Sequence, residues 1–275
     1  MTDKYAVIGN PIAHSKSPQI HAAFAKQTNQ DISYEALLAP LDSFAATVKD
    51  LIAQGYKGVN VTVPFKFEAH ELCDELSARA QAAGAVNTLV FDNGKIKGDN
   101  TDGAGLVRDL TINLRASLQG AQILLVGAGG AARGIMLPIL DAKPASILVA
   151  NRTLQKAQNL VNHFTQNATC AITACDFTAL NQAFLQTPFN VIINATSTGL
   201  TETALPIGDA AFSTKTLAYD MMYGIETPFM AQARANGAQV ADGLGMLVEQ
   251  AAEAFYLWRG VRPQTASVIA QLRNA

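Results

Sequence analysis

Cysteine, excess charge of either sign and long apolar segments are all scarce in this sequence. Its 275 residues include three cysteines, 20 basic and 22 acidic side chains, and the formal net charge is -2. Cys73, Cys170 and Cys175 form no C-x-x-C pair and have no histidine at ligand spacing, so neither a disulfide framework nor a zinc site is indicated. The histidines form no H-E-x-x-H motif, and we expect no metal. Without a basic run to neutralise phosphates, nucleic-acid binding is not expected.

The apolar segments and the start of the chain argue against a membrane location. No apolar run approaches the roughly 20 residues of a membrane-spanning helix, and no basic segment followed by an apolar one opens the chain. We therefore expect a cytoplasmic protein with no membrane partner, either a monomer or a homodimer. With 49% hydrophobic residues, the 275-residue chain can bury a large core and fill two domains.

Strand and helix patterns alternate along the first half of the chain, which is typical of a parallel sheet. A hairpin turn is expected about Asn93-Gly94. The predicted elements of this region are strands Tyr5–Gly9, Ile32–Leu38 and Tyr56–Val63 and helices Pro18–Gln27 and Leu41–Gln54.

The third of these strands leads into a lysine. Valines alternate with Asn60 and Thr62 in a buried-looking strand with period-two patterning, and Pro64 cannot donate to a ladder and so closes it. Lys66 then falls just past the carboxyl end, where ligands bind in open α/β sheets. A lysine there can bind an anion or donate a proton, or it can simply be solvated, as most lysines are.

A serine-rich loop follows the first strand. Ser17 is a good N-cap, and Pro18 suits the first position of the helix behind it. The hydroxyls of Ser15 and Ser17, beside a helix N-terminus with free N–H groups, also form a site for a small carboxylate.

Two later polar residues extend the candidate site. Asn87 comes early in a strand predicted over 84–90, although it can also cap a turn. Asp102 stands where a helix over Ala104–Leu118 begins, so it can cap that helix and still face a cleft. A general acid–base pair needs a lysine and a carboxylate at two different element ends, and Lys66 with Asp102 meets that minimum.

A glycine-rich turn follows the short apolar strand Gln122–Val126. The turn reads G-x-G-x-x-A from Gly127 to Ala132, in the strand–turn–helix context of a dinucleotide-binding fingerprint. The first glycine allows a tight turn, the second lets the backbone approach a pyrophosphate, and the helix N-terminus binds phosphate. The candidate cofactor contacts in this turn are Gly127, Gly129, Gly130 and Ala131.

The next strand, Ser146–Ala150, predicts which cofactor is bound. An acidic residue at its end would bind the 2′-hydroxyl of NAD, but the strand ends in Asn151-Arg152-Thr153. Arg152 offers a planar charged fork suited to a 2′-phosphate, so the predicted cofactor is NADP (NADPH). The structural alternative is an exposed arginine before helix Leu154–Phe164, where a cation opposes the helix dipole. Further donors are expected from Asn151, Thr153 and Lys156.

Toward the C-terminus the patterns leave alternatives open. Strands are predicted at Val191–Asn194 and Leu217–Asp220, and the small-residue loop over 194–199 could border the nicotinamide. Tyr223 either approaches a second crossing point between domains or packs with its hydroxyl in water. Gln250 lies at the edge of an apolar helical stripe that runs from Leu244 to Trp258.

Together these motifs resemble the shikimate dehydrogenase family over nearly the whole chain. One departure is Ala22, which follows His21 where the family usually has asparagine. The segments that carry the resemblance are Gly9-Asn10-Pro11-Ile12, His14-Ser15-x-Ser17-Pro18, Asn60-Val-Thr-Val-Pro-Phe-Lys66, Gly84-Ala-Val-Asn87-Thr, Asn100-Thr-Asp102-Gly, Gly127-Ala-Gly-Gly-Ala-Ala, Ala150-Asn-Arg-Thr, Asn194-Ala-Thr-Ser and Gly243-x-Gly-Met246-x-x-x-Gln250.

The resemblance implies reversible NADPH-dependent reduction of 3-dehydroshikimate to shikimate, in the pathway to the aromatic amino acids. It implies that Lys66 and Asp102 are catalytic and that Ser15 and Ser17 hold the substrate carboxylate. It adds Met221 and Gly243 to the cofactor contacts. The side chains that it places around the substrate ring are Thr62, Lys66, Asn87, Asp102 and Gln250, with Tyr223 close by.

The resemblance also implies an α/β fold of two domains. Residues 1–103 plus 240–275 would form a mainly parallel α/β catalytic domain, and residues 104–239 a Rossmann-type NADP domain, with a cleft that closes on the substrate. Two other functions stay open: an NAD-linked quinate/shikimate dehydrogenase, which Arg152 argues against, and a non-catalytic dinucleotide sensor, which has no need of the lysine, the aspartate and the paired serines together.

Overall fold

The computed structural model describes residues 2–184, 188–196 and 204–274. The chain divides into two compact units: unit 1 comprises Met1–Gly105 and Leu247–Ala275, and unit 2 comprises Leu106–Met246. Each unit has its own six-stranded sheet. The strands, in chain order, are β1 (Asp3–Gly9), β2 (Ile32–Leu38), β3 (Tyr56–Val61), β4 (Glu75–Leu76), β5 (Thr88–Asp92), β6 (Lys95–Asp99), β7 (Gln122–Val126), β8 (Ser146–Ala150), β9 (Ala171–Cys175), β10 (Val191–Asn194), β11 (Leu217–Asp220) and β12 (Gln239–Ala241).

Helices connect most of these strands. The helix α5 continues into a π-helical turn, Asp109–Asn113. The α-helices of the described residues are α1 (Ser17–Thr28), α2 (Phe44–Ala53), α3 (Lys66–Leu72), α4 (Ala78–Ala83), α5 (Asp102–Arg108), α6 (Gly130–Asp141), α7 (Leu154–Phe164), α8 (Phe177–Ala179), α9 (Pro228–Ala235), α10 (Leu244–Arg259) and α11 (Ala266–Arg273).

The sheet of unit 1 has the order β2-β1-β3-β5-β6-β4. Strands β1, β2 and β3 are parallel, whereas β5 runs antiparallel to both β3 and β6. Because of this reversal, the end of β3, the start of β5 and the end of β6 lie next to one another at the same end of the sheet's strands. The register shows it directly, since Thr88 pairs with Asn60 on one side and with Asp99 on the other. The polar segments that follow β3, precede β5 and follow β6 are therefore neighbours.

Unit 2 has a parallel sheet of order β12-β11-β10-β7-β8-β9. The first strand of the unit, β7, is central: the chain continues outward through β8 and β9 on one side, then returns to β10 on the other. The order therefore reverses between β7 and β10, and ligands bind at such a switch point beyond the carboxyl ends of the strands. The expected α/β class with mostly parallel sheets is confirmed.

Several predicted elements have the predicted bounds. Strands β2, β7, β8, β10 and β11 and helix α7 begin and end at the expected residues. The hairpin turn between β5 and β6 is also confirmed, because Asn93 and Gly94 both have positive φ, at 51° and 77°, which a type I′ turn requires. These are the segments in which a short apolar run or a helical pattern is bounded by strong turn residues.

The prediction for β3 was wrong at its C-terminal end. The strand ends at Val61, because Thr62 and Phe65 form a turn closed by a 3.1 Å hydrogen bond from Phe65 N to Thr62 O, and Val63 is 62% exposed beyond it. Asn60 is buried, as is every residue of β3 except Lys57, so the strand is buried as expected and its period-two pattern does not mark a solvated face. An interior strand with both faces covered shows no true alternation.

Helix starts were also predicted imperfectly. Ser17 is the first residue of α1 and not its N-cap, a position that Lys16 occupies without a side-chain hydrogen bond. Helix α2 begins at Phe44, three residues after the expected Leu41, and the helix after Asp102 ends with the π-helical turn at Asn113 instead of reaching Leu118. Asn87 precedes β5 instead of lying within it.

A tryptophan of α10 packs against the sheet of unit 1 over a glycine. Trp258 Nε1 donates a 3.0 Å hydrogen bond to Leu89 O, and the Trp258 ring stacks on Tyr5 with ring centroids 4.7 Å apart. A Cβ added at Gly58 would lie 2.4 Å from Trp258 Nε1 and 2.5 Å from Leu89 O. Only glycine therefore lets α10 pack this closely on β3 and β5.

We predict that Gly58→Ala lowers the free energy of unfolding by about 1–3 kcal/mol, the usual cost of overpacking a dense core. Urea denaturation followed by tryptophan fluorescence measures it. Gly129→Ala is the matched control, because a Cβ there meets nothing within 4 Å, and we expect a change below about 0.5 kcal/mol. Equal stability of Gly58→Ala and the wild type would show that the indole moves aside without cost.

Candidate active site

Lys66 and Asp102 meet in the structure of unit 1. Lys66 is the first residue of α3 and Asp102 the first of α5. Lys66 Nζ lies 2.7 Å from Asp102 Oδ2, with 29% and 19% of the two side chains exposed. The pair is therefore desolvated enough for a strong charge-assisted hydrogen bond and still open to a small molecule.

Asn87 and Gln250 join this pair. Asn87 Nδ2 donates to Asp102 Oδ1 at 2.8 Å and to Thr101 Oγ1 at 3.0 Å, and Gln250 Oε1 lies 3.4 Å from the same nitrogen. The structure thus brings the predicted pair of Lys66 and Asp102 together with Asn87 and Gln250, which the sequence named separately. We call Lys66, Asn87, Asp102 and Gln250 the polar cluster.

The turn before Asp102 is held by side-chain hydrogen bonds, some of them from Arg79 of α4. Asp99 accepts two hydrogen bonds from Arg79, at 2.7 and 2.8 Å, and one from Asn100 N at 2.6 Å. Asn100 Nδ2 donates to Ala85 O, and Asn100 Oδ1 accepts from Asp102 N. This network explains why β6 stops at Asp99 and why the carboxylate two residues after Asn100 has a defined position.

Ser15, Ser17 and Thr62 follow the carboxyl ends of β1 and β3. Ser15 Oγ accepts a 3.3 Å hydrogen bond from Ser17 N, so the first serine satisfies a free N–H at the start of α1. Ser17 is buried and Ser15 is half-buried. A Cβ at Gly9 would lie 2.4 Å from the Thr62 methyl group, so Thr62 packs on the end of β1. All three residues follow the carboxyl ends of β1 and β3.

In unit 2 the glycine turn has the geometry that a dinucleotide needs. Gly127 has φ 108° and donates from its N–H to Ala150 O at 2.8 Å, and α6 begins at Gly130. The space beside the Gly129 Cα is open, and Ala132 is fully buried against the sheet. Accessible N–H groups at a helix start, with open space above a glycine, fit a pyrophosphate.

The residues after β8 are exposed beside this turn. Asn151 Nδ2 donates to Thr153 O at 2.9 Å and shapes the turn into α7, while Arg152, Thr153 and Lys156 point toward solvent. Lys156 and Ala128 line one shallow cavity of about 180 Å³. The structure therefore brings the glycine turn and Lys156 together.

Two further residues line that cavity and were missed in the sequence. Arg133 Nη2 lies 3.3 Å from His163 Nε2, and both side chains face the cavity that Lys156 borders. Residues 156, 159, 160 and 163 share a helix face by their spacing, which is the signal that could have found His163.

The remaining predicted residues of unit 2 lie after β11. Gly243 N donates to Met222 O at 2.8 Å, which sets Gly243 next to Met221. Tyr223 is half-buried, and burial raises its pKa. Asp220, a strand-end carboxylate, accepts from Asn194, Thr227 and Met222 N and so has a structural role. The predicted nicotinamide-bordering segment Ser197–Gly199 lies outside the described residues.

Within residues 2–184, 188–196 and 204–274, no group of three or more metal-ligating side chains is present. In the same residues, no helix is both long and apolar enough to cross a bilayer.

Comparison with known proteins agrees with the geometry. Three family models match the chain: the shikimate dehydrogenase substrate binding domain over residues 7–89, shikimate/quinate 5-dehydrogenase over 109–204, and the shikimate 5′-dehydrogenase C-terminal domain over 243–273. Among curated relatives, the shikimate dehydrogenase (NADP(+)) of Methylobacillus flagellatus is 57% identical over 274 residues, 99% of this chain and 100% of the relative. That of a Janthinobacterium species is 56% identical over 99% and 98%.

A solved structure is similar over the same length. Shikimate 5-dehydrogenase from Thermus thermophilus, in complex with NADP(H) and shikimate, has 33% identity and a TM-score of 0.86, with 99% of each chain covered. The glycine turn at Gly127 follows a central parallel strand, and the Lys66–Asp102 pair lies where β3 and β6 end. Together they define the protein as an α/β oxidoreductase. More particularly, the chain belongs to the shikimate dehydrogenase family.

A buried histidine that stacks on Tyr34 makes the stability of the protein depend on pH. His21 is fully buried, neither ring nitrogen has a hydrogen-bond partner, and the ring stacks on Tyr34 with centroids 4.1 Å apart. Burial lowers the pKa of His21 from 6.5 to about 3, an effect that the nearby Asn60 side chain partly opposes. Below pH 6.5 the unfolded chain binds a proton here that the folded chain does not bind, so stability falls as pH falls.

We predict that, because of His21, the free energy of unfolding falls by about 1.4 kcal/mol per pH unit as pH falls from about 6 toward 3. His21→Phe, which retains a ring on Tyr34, should flatten that slope in urea denaturation at pH 5, 6 and 7. The exposed His14, replaced by glutamine, is the control and should leave the slope unchanged. A His21→Phe variant with the wild-type slope would show that His21 binds its proton equally well in the folded and the unfolded protein.

Proposed function

We propose that this chain catalyses the reversible NADPH-dependent reduction of 3-dehydroshikimate to shikimate in aromatic amino acid biosynthesis. The observation that carries the proposal is the 2.7 Å contact between Lys66 and Asp102, with Asn87 and Gln250 beside it. The names of the full-length relatives support the same reaction.

The polar cluster suits a substrate with several ring hydroxyls. Its amide, carboxylate and ammonium groups supply both donors and acceptors in one half-buried site. Thr62, which follows the carboxyl end of β3, adds a hydroxyl group. Ser15 and Ser17, at the start of α1, would hold the substrate carboxylate through hydroxyls and the helix N-terminus. Tyr223, in unit 2, stays a predicted substrate contact.

The chemistry at the carbonyl requires one hydride and one proton. NADPH, when bound, supplies the hydride to the C3 carbon of the substrate. Lys66 Nζ donates the proton to the carbonyl oxygen as negative charge develops there, so that the carbonyl becomes a hydroxyl group. Asp102 holds the ammonium in place through its 2.7 Å contact. In the reverse direction Lys66, having lost its proton, accepts the proton of the C3 hydroxyl.

The cofactor would be held by unit 2. Gly127, Gly129, Gly130 and Ala131 offer backbone to the pyrophosphate, and Arg152 offers its guanidinium to the 2′-phosphate. Asn151, Thr153 and Lys156 surround that position, and Met221 and Gly243 remain predicted contacts. The strand β8 ends without a carboxylate, which disfavours the NAD-linked alternative.

The division of labour between the predicted domains follows from these assignments. We assign substrate binding and catalysis to the predicted domain 1–103 plus 240–275, and NADP binding to 104–239. The family model for a substrate binding domain, matched over residues 7–89, supports the first assignment.

The surroundings of the enzyme are proposed on chemical grounds. The cysteines Cys73, Cys170 and Cys175 are free thiols, which suits the reducing cytoplasm. The net charge of -2 and the absence of a basic run suit a small-molecule enzyme that binds no nucleic acid. We propose a monomer or a homodimer.

We predict that Lys66→Ala lowers kcat for shikimate oxidation by ~10²–10⁴ and leaves KM for shikimate within a few-fold, as expected for the loss of a proton-transfer group. NADPH formation at 340 nm measures both. Lys57→Ala, which removes an exposed lysine of β3, is the control and should be active. A Lys66→Ala variant that binds shikimate poorly but turns over normally would make the lysine a binding group only.

We predict that Arg152→Ala raises KM for NADP⁺ ~10–100-fold and changes kcat/KM for NAD⁺ by less than about threefold, because a charged hydrogen-bonded contact contributes about 1.5–3 kcal/mol. Steady-state kinetics with both cofactors, and with shikimate and quinate, measure this. Lys215→Ala removes a positive charge at the opposite, amino end of the parallel strands and is the control. Equal losses with NADP⁺ and NAD⁺ would refute a 2′-phosphate contact.

A further inference from the structure

The orientation of the Asn87 amide is decided by the groups that donate to its oxygen. Asn87 Oδ1 accepts from Thr101 N at 2.9 Å and from Thr88 Oγ1 at 2.9 Å. With its oxygen engaged on this side, the amide directs Nδ2 toward Asp102 Oδ1, 2.8 Å away. A flipped amide would set its oxygen against the carboxylate, and two acceptors repel each other.

The Thr88 hydroxyl is itself fixed from behind. Thr88 Oγ1 accepts from Asn60 Nδ2 at 3.0 Å, so its single proton is available for Asn87. Asn60 Oδ1 in turn accepts a 2.7 Å hydrogen bond from the Tyr34 hydroxyl. Donation therefore runs in one direction, from Tyr34 through Asn60, Thr88 and Asn87 to Asp102.

This chain of hydrogen bonds is shielded from water along most of its length. Asn60, Asn87 and Thr88 are buried, so a lost partner cannot be replaced by solvent. Tyr34 is held by its stacking on His21, and burial raises its pKa well above 10, which keeps the hydroxyl protonated and able to donate. A side-chain hydrogen bond with Ser17 opposes that rise.

We propose that Thr88 is a positioning residue for the reaction: backed by Asn60 and Tyr34, its hydroxyl orients the Asn87 amide, which holds the Asp102 carboxylate on Lys66. This inference rests on the proposed function. Among the described residues, the Thr88 hydroxyl makes no hydrogen bond to Lys66 or Asp102, so it acts through Asn87.

The test compares two substitutions of the same residue. Thr88→Val keeps the shape and removes the hydroxyl, and we expect kcat for shikimate oxidation with NADP⁺ to fall about 5–50-fold, the factor typical of a lost buried hydrogen bond. Thr88→Ser keeps the hydroxyl and should stay within about threefold of the wild type. KM for NADP⁺ should be unchanged in both variants.

A double-mutant cycle distinguishes positioning from a loss of packing. If Thr88 acts through Asp102, Thr88→Val should cost less than about twofold in an Asp102→Asn background, where the carboxylate to be held is gone. The same loss of kcat in both backgrounds would overturn the proposal. So would equal kcat values for Thr88→Val and Thr88→Ser.

A second variant covers the case in which Thr88→Val does not fold. Tyr34→Phe removes only the distal donor and retains the stacking on His21, and we expect a ~2–10-fold fall in kcat that is also absent in the Asp102→Asn background. An unchanged kcat in Tyr34→Phe would then overturn the proposal. Failure of the proposed function looks different, because the wild type itself would not oxidise shikimate with NADP⁺.

Discussion

The contact between Lys66 and Asp102 is the interaction on which the candidate site depends. The two residues are 36 positions apart in the sequence and begin two different helices. They meet because β3 and β6 run in the same direction on the two sides of β5, so that the segments after both strands leave from the same end of the sheet. The antiparallel direction of β5 brings its start, and with it Asn87, to that same end, whereas a parallel β5 would have placed Asn87 at the opposite end.

A lysine and a carboxylate this close need neighbours that hold each in one place. An exposed ion pair alone has little orienting power, because long side chains lose entropy on pairing and water competes with them. Here Asp102 also accepts from Asn87, and the turn before it is held by Asp99, Arg79 and Asn100. Behind Asn87, polar side chains occupy positions that would otherwise belong to an apolar core. Each must keep its partner, since an unpaired buried polar group costs about 1–3 kcal/mol.

Unit 2 differs from unit 1 because it presents backbone N–H groups at the glycine turn, instead of side chains. Gly127 turns the chain sharply at the end of the central strand, and the space over Gly129 is open. The exposed Arg152 follows the neighbouring strand. Rigid strands below and free N–H groups above are the general means by which parallel α/β sheets bind phosphates. The cofactor preference then depends on a few exposed side chains at strand ends.

By itself, the sequence determined the fold class, the glycine turn, most strands of unit 2 and the identity of Lys66, Asn87, Asp102 and Gln250 as candidates. These are local features: apolar runs between strong turn residues, and polar residues at element ends. Only the tertiary structure decided where β3 stops, that Ser17 is helical and not a cap, and that Asn60 is buried, because these depend on what packs against each segment. The same holds for the links through Tyr34, Thr88 and Thr101. Hydrogen bonds between residues far apart in sequence follow from strand register, and strand register leaves no mark in any short stretch of sequence.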